Sequence, residues 1–346
     1  MSDTSTTASS TSVSARPPAL SWADEAQSTL ADIVSDEDGG VAVVWRRDGE
    51  RLQLAAGVAD DTGTPMTPDL PFRVGSISKT FVAVMVLQLH DEGLVDVDAP
   101  LATYLSGIEP YGDLTVRALL SHRSGIPSYT DQPAYLRDTF IDPTRAFTPE
   151  EILGYVDGLV AGDDGSFAYS NTNYVLLGLL IEAIDQRSLD DSLRHRITEP
   201  LGIAQTRFAG AADPATFGPI GGWSSSTAFD GDPNASYTAL ATSAWAAGAL
   251  VSTSIDLATF LEALFEGELV SDLSLQQMTD TGRGPYGLGL FVASLGSGSV
   301  AFGHNGLIPG FSSTMAYEPT TGDLIIVLTN NDSMNADLVA SALLID

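Results

Sequence analysis

The sequence predicts an α/β fold of the α+β kind: an antiparallel sheet built from both chain ends, flanked by helices and interrupted by an all-helical insertion. Three observations carry that expectation. Strand signals gather at the two ends. Gly40–Val58 reads as a hairpin, VAVVWRR and RLQLAAGV about an Asp48-Gly49 turn, and the tail offers strands at 286–293, 299–304, 311–317 and 324–330, with a turn at Pro319–Asp323. Between them, helical patterns at 115–120, 149–160, 173–184 and 189–197 alternate with Gly/Pro/Asp loops. Finally, Ser76–Leu89 is apolar nearly all round, with Gly93 as its stop, which is the pattern of a helix buried on most sides.

The remaining elements follow in order. Residues 1–20 are Ser/Thr-rich without an apolar stretch, and are expected to be a disordered lead rather than a secretory signal. An amphipathic helix is expected at 23–35, another from Trp245 to Phe265, and a last one at 334–344. The expected organisation is a sheet domain from 21–78 plus 241–346 and a mainly helical domain from 79–240, with a site at their seam.

Composition narrows the function. The chain has 346 residues with 44% hydrophobic side chains, enough for a large core. The absence of cysteine removes disulfides, thiolate metal sites and a cysteine nucleophile. No metal motif, Walker sequence or dinucleotide fingerprint occurs, so no cofactor is expected. No apolar run reaches the ~18 residues of a membrane span. The chain carries 45 Asp plus Glu against 15 Lys plus Arg, a formal charge of -30. Such a surface repels phosphate, so nucleic acid is not an expected partner. The acids recur along the whole chain, with 32 Asp and a single Lys. Their repulsion is screened in concentrated salt, where the Debye length falls to about 3 Å at 1 M. A cytoplasmic protein of a high-salt cell is therefore expected.

The single lysine, Lys79, points to chemistry. Arg stays charged at any working pH, whereas a buried lysine can give up its proton near neutrality. Lys79 follows Ser76 by three residues at the head of the buried helix, which puts both side chains on one face. A hydroxyl needs a base to become a nucleophile, and Lys79 is placed to be that base. The helix start offers free N–H groups for an oxyanion. In Tyr169-Ser170-Asn171 the phenol is a candidate second base, and Asn171 offers a donor and an acceptor to a substrate amide. His304-Asn305-Gly306 closes the strand at 299–304, where His304 is a candidate donor or partial positive charge and Gly306 lets a substrate lie close. His122, in Ser121-His122-Arg123-Ser124-Gly125, reads as part of a structural loop, and His90 and His195 as helix-surface residues.

Together these strings follow the order Ser-x-x-Lys, Tyr-x-Asn, His-x-Gly. The chain thereby resembles the serine β-lactamase and penicillin-binding protein superfamily, in its class C-type branch and closest to the soluble DD-carboxypeptidases. Blocks such as LTVRALLSHRSGI, YSNTNYVLLGLLIE, SAWAAGALVSTSIDLATFL and YGLGL carry the likeness from about Trp22 to Leu343. The resemblance implies an acyl-enzyme on Ser76, proton handling by Lys79 and Tyr169, and an oxyanion hole of the Ser76 and Leu307 N–H groups. It also implies Trp245 as an aromatic lining of the cleft.

In the carboxypeptidases of that branch an Arg after YGLGL and a Thr after His-x-Gly hold a terminal carboxylate. Here Phe291 and Leu307 stand at those places, and Arg283 lies eight residues upstream of Phe291. An anion site is thus not expected, and neutral esters, amides or lactones suit the lining better. The expected function is a serine hydrolase acting on a carboxylic ester, amide or lactam of a small molecule or short peptide. A DD-carboxypeptidase, a β-lactamase proper, and an acyl-binding module without turnover are the alternatives.

Overall fold

The computed structural model describes residues 21–159, 165–210, 220–224, 238–282, 284–295 and 298–345. The expected disordered lead, 1–20, and Arg283 lie outside these residues. Helix α1 (Trp22–Val34) starts at a capping box in which Ser21 and Asp24 satisfy each other's backbone N–H groups. Strands β1 (Gly40–Arg47) and β2 (Glu50–Gly57) form the expected hairpin, paired through Arg47 and Glu50. Its turn residues Asp48 and Gly49 both take positive φ, as a two-residue hairpin turn demands.

A short strand β3 (Phe72–Arg73) leads through a single 3-10 turn (Gly75–Ile77) into α2 (Ser78–Asp91). Phe81 through Leu87 are all fully buried, which explains the nearly unbroken apolar sequence. Then follow α3 (Val116–Leu120), α4 (Pro133–Ile141), α5 (Pro149–Gly154) and α6 (Asn171–Asp185). Next come α7 (Leu189–Leu193), a π-helical turn (Arg194–Thr198), α8 (Glu199–Leu201) and β4 (Arg207–Phe208). Helix α4 has no counterpart among the sequence expectations, and α5 ends earlier than the pattern at 149–160 suggests.

The expected continuous helix from Trp245 to Phe265 is replaced by three elements. They are α9 (Thr238–Gly248), β5 (Leu250–Ser252) and α10 (Ser254–Phe265). Trp245, at φ 34° and ψ -123°, breaks α9 near its end. Strand β5 then pairs with both β3 and β4 in a small three-stranded sheet. Backbone pairing with distant segments overrides local helical propensity here.

After α11 (Asp272–Thr279) come β6 (Phe291–Ser294), β7 (Val300–Ile308), β8 (Phe311–Glu318), β9 (Asp323–Thr329) and α12 (Ala336–Ile345). The main sheet is six-stranded and antiparallel, in the order β2-β1-β9-β8-β7-β6, so the two chain ends do build it together. Side chains alternate across it. Val41, Val43, Trp45, Ile325 and Val327 pack against α1 and α12. Ala42, Val44, Ile326 and Leu328 turn to the larger core with α2, α6 and α10. Each large apolar side chain buried this way contributes about 1.5–3 kcal/mol.

Strand β7 runs four residues beyond the expected end, so His304-Asn305-Gly306 lies inside it. The reason is its pairing: Leu307 and Ile308 face Ser312 and Phe311 across the Pro309-Gly310 turn. Strand β6 pairs only as far as Gly303, which leaves the outer edge of β7 open beyond that point. Among the described residues no helix is long and apolar enough to cross a membrane.

Candidate active site

Ser76 sits in the 3-10 turn ahead of α2, pressed against the open edge of β7. The close approach is made by two glycines. A Cβ on Gly306 would run into the Val74 carbonyl and stand 3.0 Å from the Ser76 nitrogen. A Cβ on Gly75, whose φ is +51°, would stand 3.0 Å from the Leu307 nitrogen. In the β7–β8 hairpin Ile308 and Phe311 close the turn as the bonded pair, and alternation turns the Leu307 N–H away from β8, toward the open edge. The Ser76 and Leu307 nitrogens thus lie on the two segments that meet here. Ser78 secures the turn, donating to the Gly75 carbonyl at 2.6 Å and accepting the Leu250 N–H at 2.9 Å.

Lys79 lies beneath. It is fully buried, donating from Nζ to Ser76 Oγ at 2.9 Å and to the Ala247 carbonyl at 2.5 Å. Its Nζ stands 5.0 Å from the Tyr169 ring centre and 5.6 Å from that of Tyr174. Among the described residues no carboxylate pairs with it. Burial without a counter-charge holds the ammonium well below the ordinary lysine value. The break at Trp245 serves this arrangement by ending α9 just where the Ala247 carbonyl meets Nζ.

The Tyr169 phenol stands beside Ser76, whose hydroxyl favours its ionised form. Burial pushes the phenol up, and Ser76 only partly opposes it, so Tyr169 is a protonated phenol at neutral pH. The nearby lysine therefore does not hold it as phenolate. His304 is buried, with Nδ1–H donating to the Asn305 carbonyl at 2.6 Å and Nε2 accepting from the Tyr286 hydroxyl at 3.0 Å. Burial, and then Lys79, push it down to about 3. The imidazole is neutral at pH 7 and both nitrogens are occupied, so the partial positive charge expected of it is not there.

A cavity of about 360 Å3 opens over Ser76 and Tyr169, walled by Phe291, Gly306 and Leu307 and closed by Asn305, Asn335 and Asp337. Leu307 projects into it with 68% of its surface exposed. Asn171 and Trp245 are not among its lining. The Asn171 amide donates to Thr130 Oγ1 at 3.0 Å at the start of α6. The Trp245 ring packs on Gly178 of α6, where a Cβ would stand 2.8 Å from it. A larger open cavity of about 630 Å3 lies elsewhere, around Gln88, His195 and Arg196, whose guanidinium is already held by Asp185 and Glu92. Its Ser271 hydroxyl is committed to capping α11 and donates to Asp91 at 2.7 Å.

Sequence reasoning missed three participants. His122, expected to be merely part of a loop, is fully buried, with its ring centre 4.1 Å from that of Tyr169. Its Nδ1 accepts the Ser170 N–H at 3.1 Å, which places the ring proton on Nε2. Burial, then Lys79 and His304, hold it well below the ordinary histidine range. The local signal was a histidine in a tight Ser-His-Arg-Ser-Gly segment, where its φ is +55°. The Ala247 carbonyl and Asp337 left no signal in the sequence.

A family model described as Beta-lactamase matches residues 29–346. The chain belongs to the Beta-lactamase family. Its relatives there include the putative penicillin-binding protein PbpX of Bacillus subtilis (strain 168), 26% identical over 78% of this chain and 64% of that protein. A D-aminopeptidase of Brucella anthropi is 31% identical over 79% of this chain and 52% of its own length. The chain thus spans about half to two thirds of these curated relatives. Among solved structures, the D-amino acid amidase of Ochrobactrum anthropi SV3, complexed with L-phenylalanine amide, superposes with a TM-score of 0.81 at 30% identity, covering 94% of this chain and 98% of that one. The mixed fold, with its six-stranded antiparallel sheet, is that of this family.

Proposed function

We propose that this Beta-lactamase family member is a serine hydrolase that cleaves amides or esters through an acyl-enzyme on Ser76. The observation that carries the reading is the buried Lys79 amine, 2.9 Å from Ser76 Oγ with no carboxylate paired to it among the described residues. Lys79 Nζ takes the hydroxyl proton as Oγ bonds to the substrate carbonyl carbon. The oxyanion so formed faces the Ser76 and Leu307 N–H groups. The bond to the leaving group then breaks. The leaving nitrogen or oxygen takes the Tyr169 proton, which the Lys79 ammonium replaces. Water attacks the acyl carbonyl carbon and gives a proton to Lys79, the bond to Oγ breaks, and the Lys79 ammonium returns that proton to Ser76 Oγ as the acid departs. The family neighbours named for D-aminopeptidase and D-amino acid amidase activity support the amide reading.

Phe291 and Leu307 offer no cation to a substrate carboxylate, whose desolvation would go uncompensated. Substrates lacking a carboxylate at that place therefore react faster than penicillins or acyl-D-Ala-D-Ala peptides. The acidic surface supports a working environment of concentrated salt.

A fluorophosphonate probe tests the reading. Labelling of the wild type that vanishes in Ser76→Ala, with the circular dichroism spectrum preserved, is the expected result. Labelling that persists in Ser76→Ala removes Ser76 from the chemistry. A stoichiometric burst of product without steady turnover would favour an acyl-binding module instead.

A further inference from the structure

Lys79 meets its carbonyl acceptor on a segment that is held at both ends and strained in the middle. At one end Ser78 Oγ accepts the Leu250 N–H at 2.9 Å. At the other, the Tyr129 hydroxyl donates to the Ser243 carbonyl at 2.6 Å, and the Tyr135 hydroxyl bonds to Ser243 Oγ at 2.8 Å. Between them Trp245 takes φ 34° and ψ -123°, a conformation that a residue with a Cβ rarely adopts. Such a conformation persists only where its surroundings impose it. Two buried phenols grip the residue two places before it, and the Ala247 carbonyl, two places after it, accepts from Lys79 Nζ. Tyr129 is itself fixed. Its N–H donates to Thr172 Oγ1 at 3.0 Å, and the Ser128 hydroxyl before it accepts the Asn171 N–H at 3.1 Å. Its ring stands edge-on to that of Tyr135, with centres 4.9 Å apart. A single 3-10 turn (Tyr129–Asp131) thus ties the start of α6, next to Tyr169, to the segment that bears the acceptor of Lys79.

A neutral amine has two N–H bonds and one lone pair. With one N–H held by the Ala247 carbonyl, rotation of the amine is restricted and its lone pair is kept on its other neighbour, the Ser76 hydroxyl. We propose that Tyr129, with Tyr135, is a positioning residue for the reaction: by holding Ser243 it keeps Trp245 in its strained turn and the Ala247 carbonyl on Lys79. The reaction is that of the serine hydrolase reading, on which the proposal rests. The carbonyl has a second effect. It accepts from the ammonium and so favours the charged form of Lys79. The other groups that face the amine are Ser76, Tyr169, Tyr174, His122 and His304, and none of them is charged at neutral pH. Withdrawing the carbonyl therefore lowers the pH at which Lys79 titrates.

Lys79 is the chain's single lysine, so protein grown on lysine carrying 13C at Cε gives one lysine resonance, which follows the titration without any turnover. Tyr129→Phe should move its midpoint down by at least about 0.5 pH unit. The same variant should cut kcat on p-nitrophenyl acetate at least about fivefold, with KM within about twofold. Tyr135→Phe should shift the midpoint in the same direction, and it decides the matter if Tyr129→Phe does not fold. Tyr155→Phe removes a hydroxyl of the same aromatic cluster that bonds to Asp138 instead of Ser243, and should leave midpoint and kcat unchanged. A folded Tyr129→Phe protein with a lowered Tm but the wild-type midpoint, or with a shifted midpoint and the wild-type kcat, overturns the proposal. A shift that Tyr155→Phe produces equally overturns it too. A shifted midpoint in a protein that turns over no ester or amide would overturn only the hydrolase reading.

Discussion

His122 grips Tyr169 through both of its chain neighbours. Its carbonyl accepts the Ala168 N–H at 2.8 Å, and its Nδ1 accepts the Ser170 N–H at 3.1 Å. Its ring lies against the phenol between those two bonds. His122→Phe keeps an aromatic ring but leaves the buried Ser170 N–H without an acceptor, which costs about 1–3 kcal/mol. The expected outcome is a lower Tm together with a kcat reduced about tenfold or more and a KM changed by less than twofold. A variant with lowered Tm but full kcat would confine His122 to stability.

Lys79 gives two pH signatures. The neutral amine is the competent base, so kcat/KM should fall on acidification as Lys79 takes up its proton. Lys79→Arg should lose at least about 10²-fold in turnover, because a guanidinium cannot accept a proton at working pH. The stability effect follows from the same lowered pKa. Between the folded value and the unfolded 10.5, the unfolded chain holds a proton that the folded chain has released. Wild-type stability in that window therefore rises with pH. Lys79→Met lacks the penalty. It should be more stable than wild type at pH 7, with an advantage that shrinks toward pH 10.5. Urea melts at several pH values measure this, and an advantage that grows with pH would contradict it.

Gly306 tests the close approach of β7 to the nucleophile's turn. Gly306→Ala forces a Cβ into the Val74 carbonyl and against the Ser76 nitrogen. Overpacking of this kind costs about 1–3 kcal/mol and displaces the two N–H groups from one another. Fluorophosphonate labelling should slow at least about tenfold at a temperature where the variant remains folded. An unchanged labelling rate would show that the two segments tolerate separation.

Salt tests the surface. With a formal charge of -30, melting temperature should climb from dilute buffer to 2 M KCl as repulsion is screened. A flat or falling curve would remove the inference of adaptation to high salt and leave the chemistry of Ser76 untouched.

Local rules made much of this protein legible in its sequence. Period-2 alternation and the Asp48-Gly49 turn defined the N-terminal hairpin, and an unbroken apolar run announced α2 as a buried helix. The i,i+3 spacing of Ser76 and Lys79 put amine and hydroxyl within bonding reach, because that spacing is a property of one helical turn. The three motif strings marked out the family. Tertiary structure decided what depends on partners far along the chain. It broke the helix at Trp245, where Leu250–Ser252 pairs with strands from two other regions. Burial, which no local pattern measures, made His304 neutral and kept Tyr169 protonated. Long-range packing brought His122 under Tyr169, 47 residues away, because the Ala168 and Ser170 N–H groups bond to its carbonyl and its Nδ1. It also set Asp337 beside Asn305, since only the packing of α12 across the sheet brings a carboxylate to the open edge of β7.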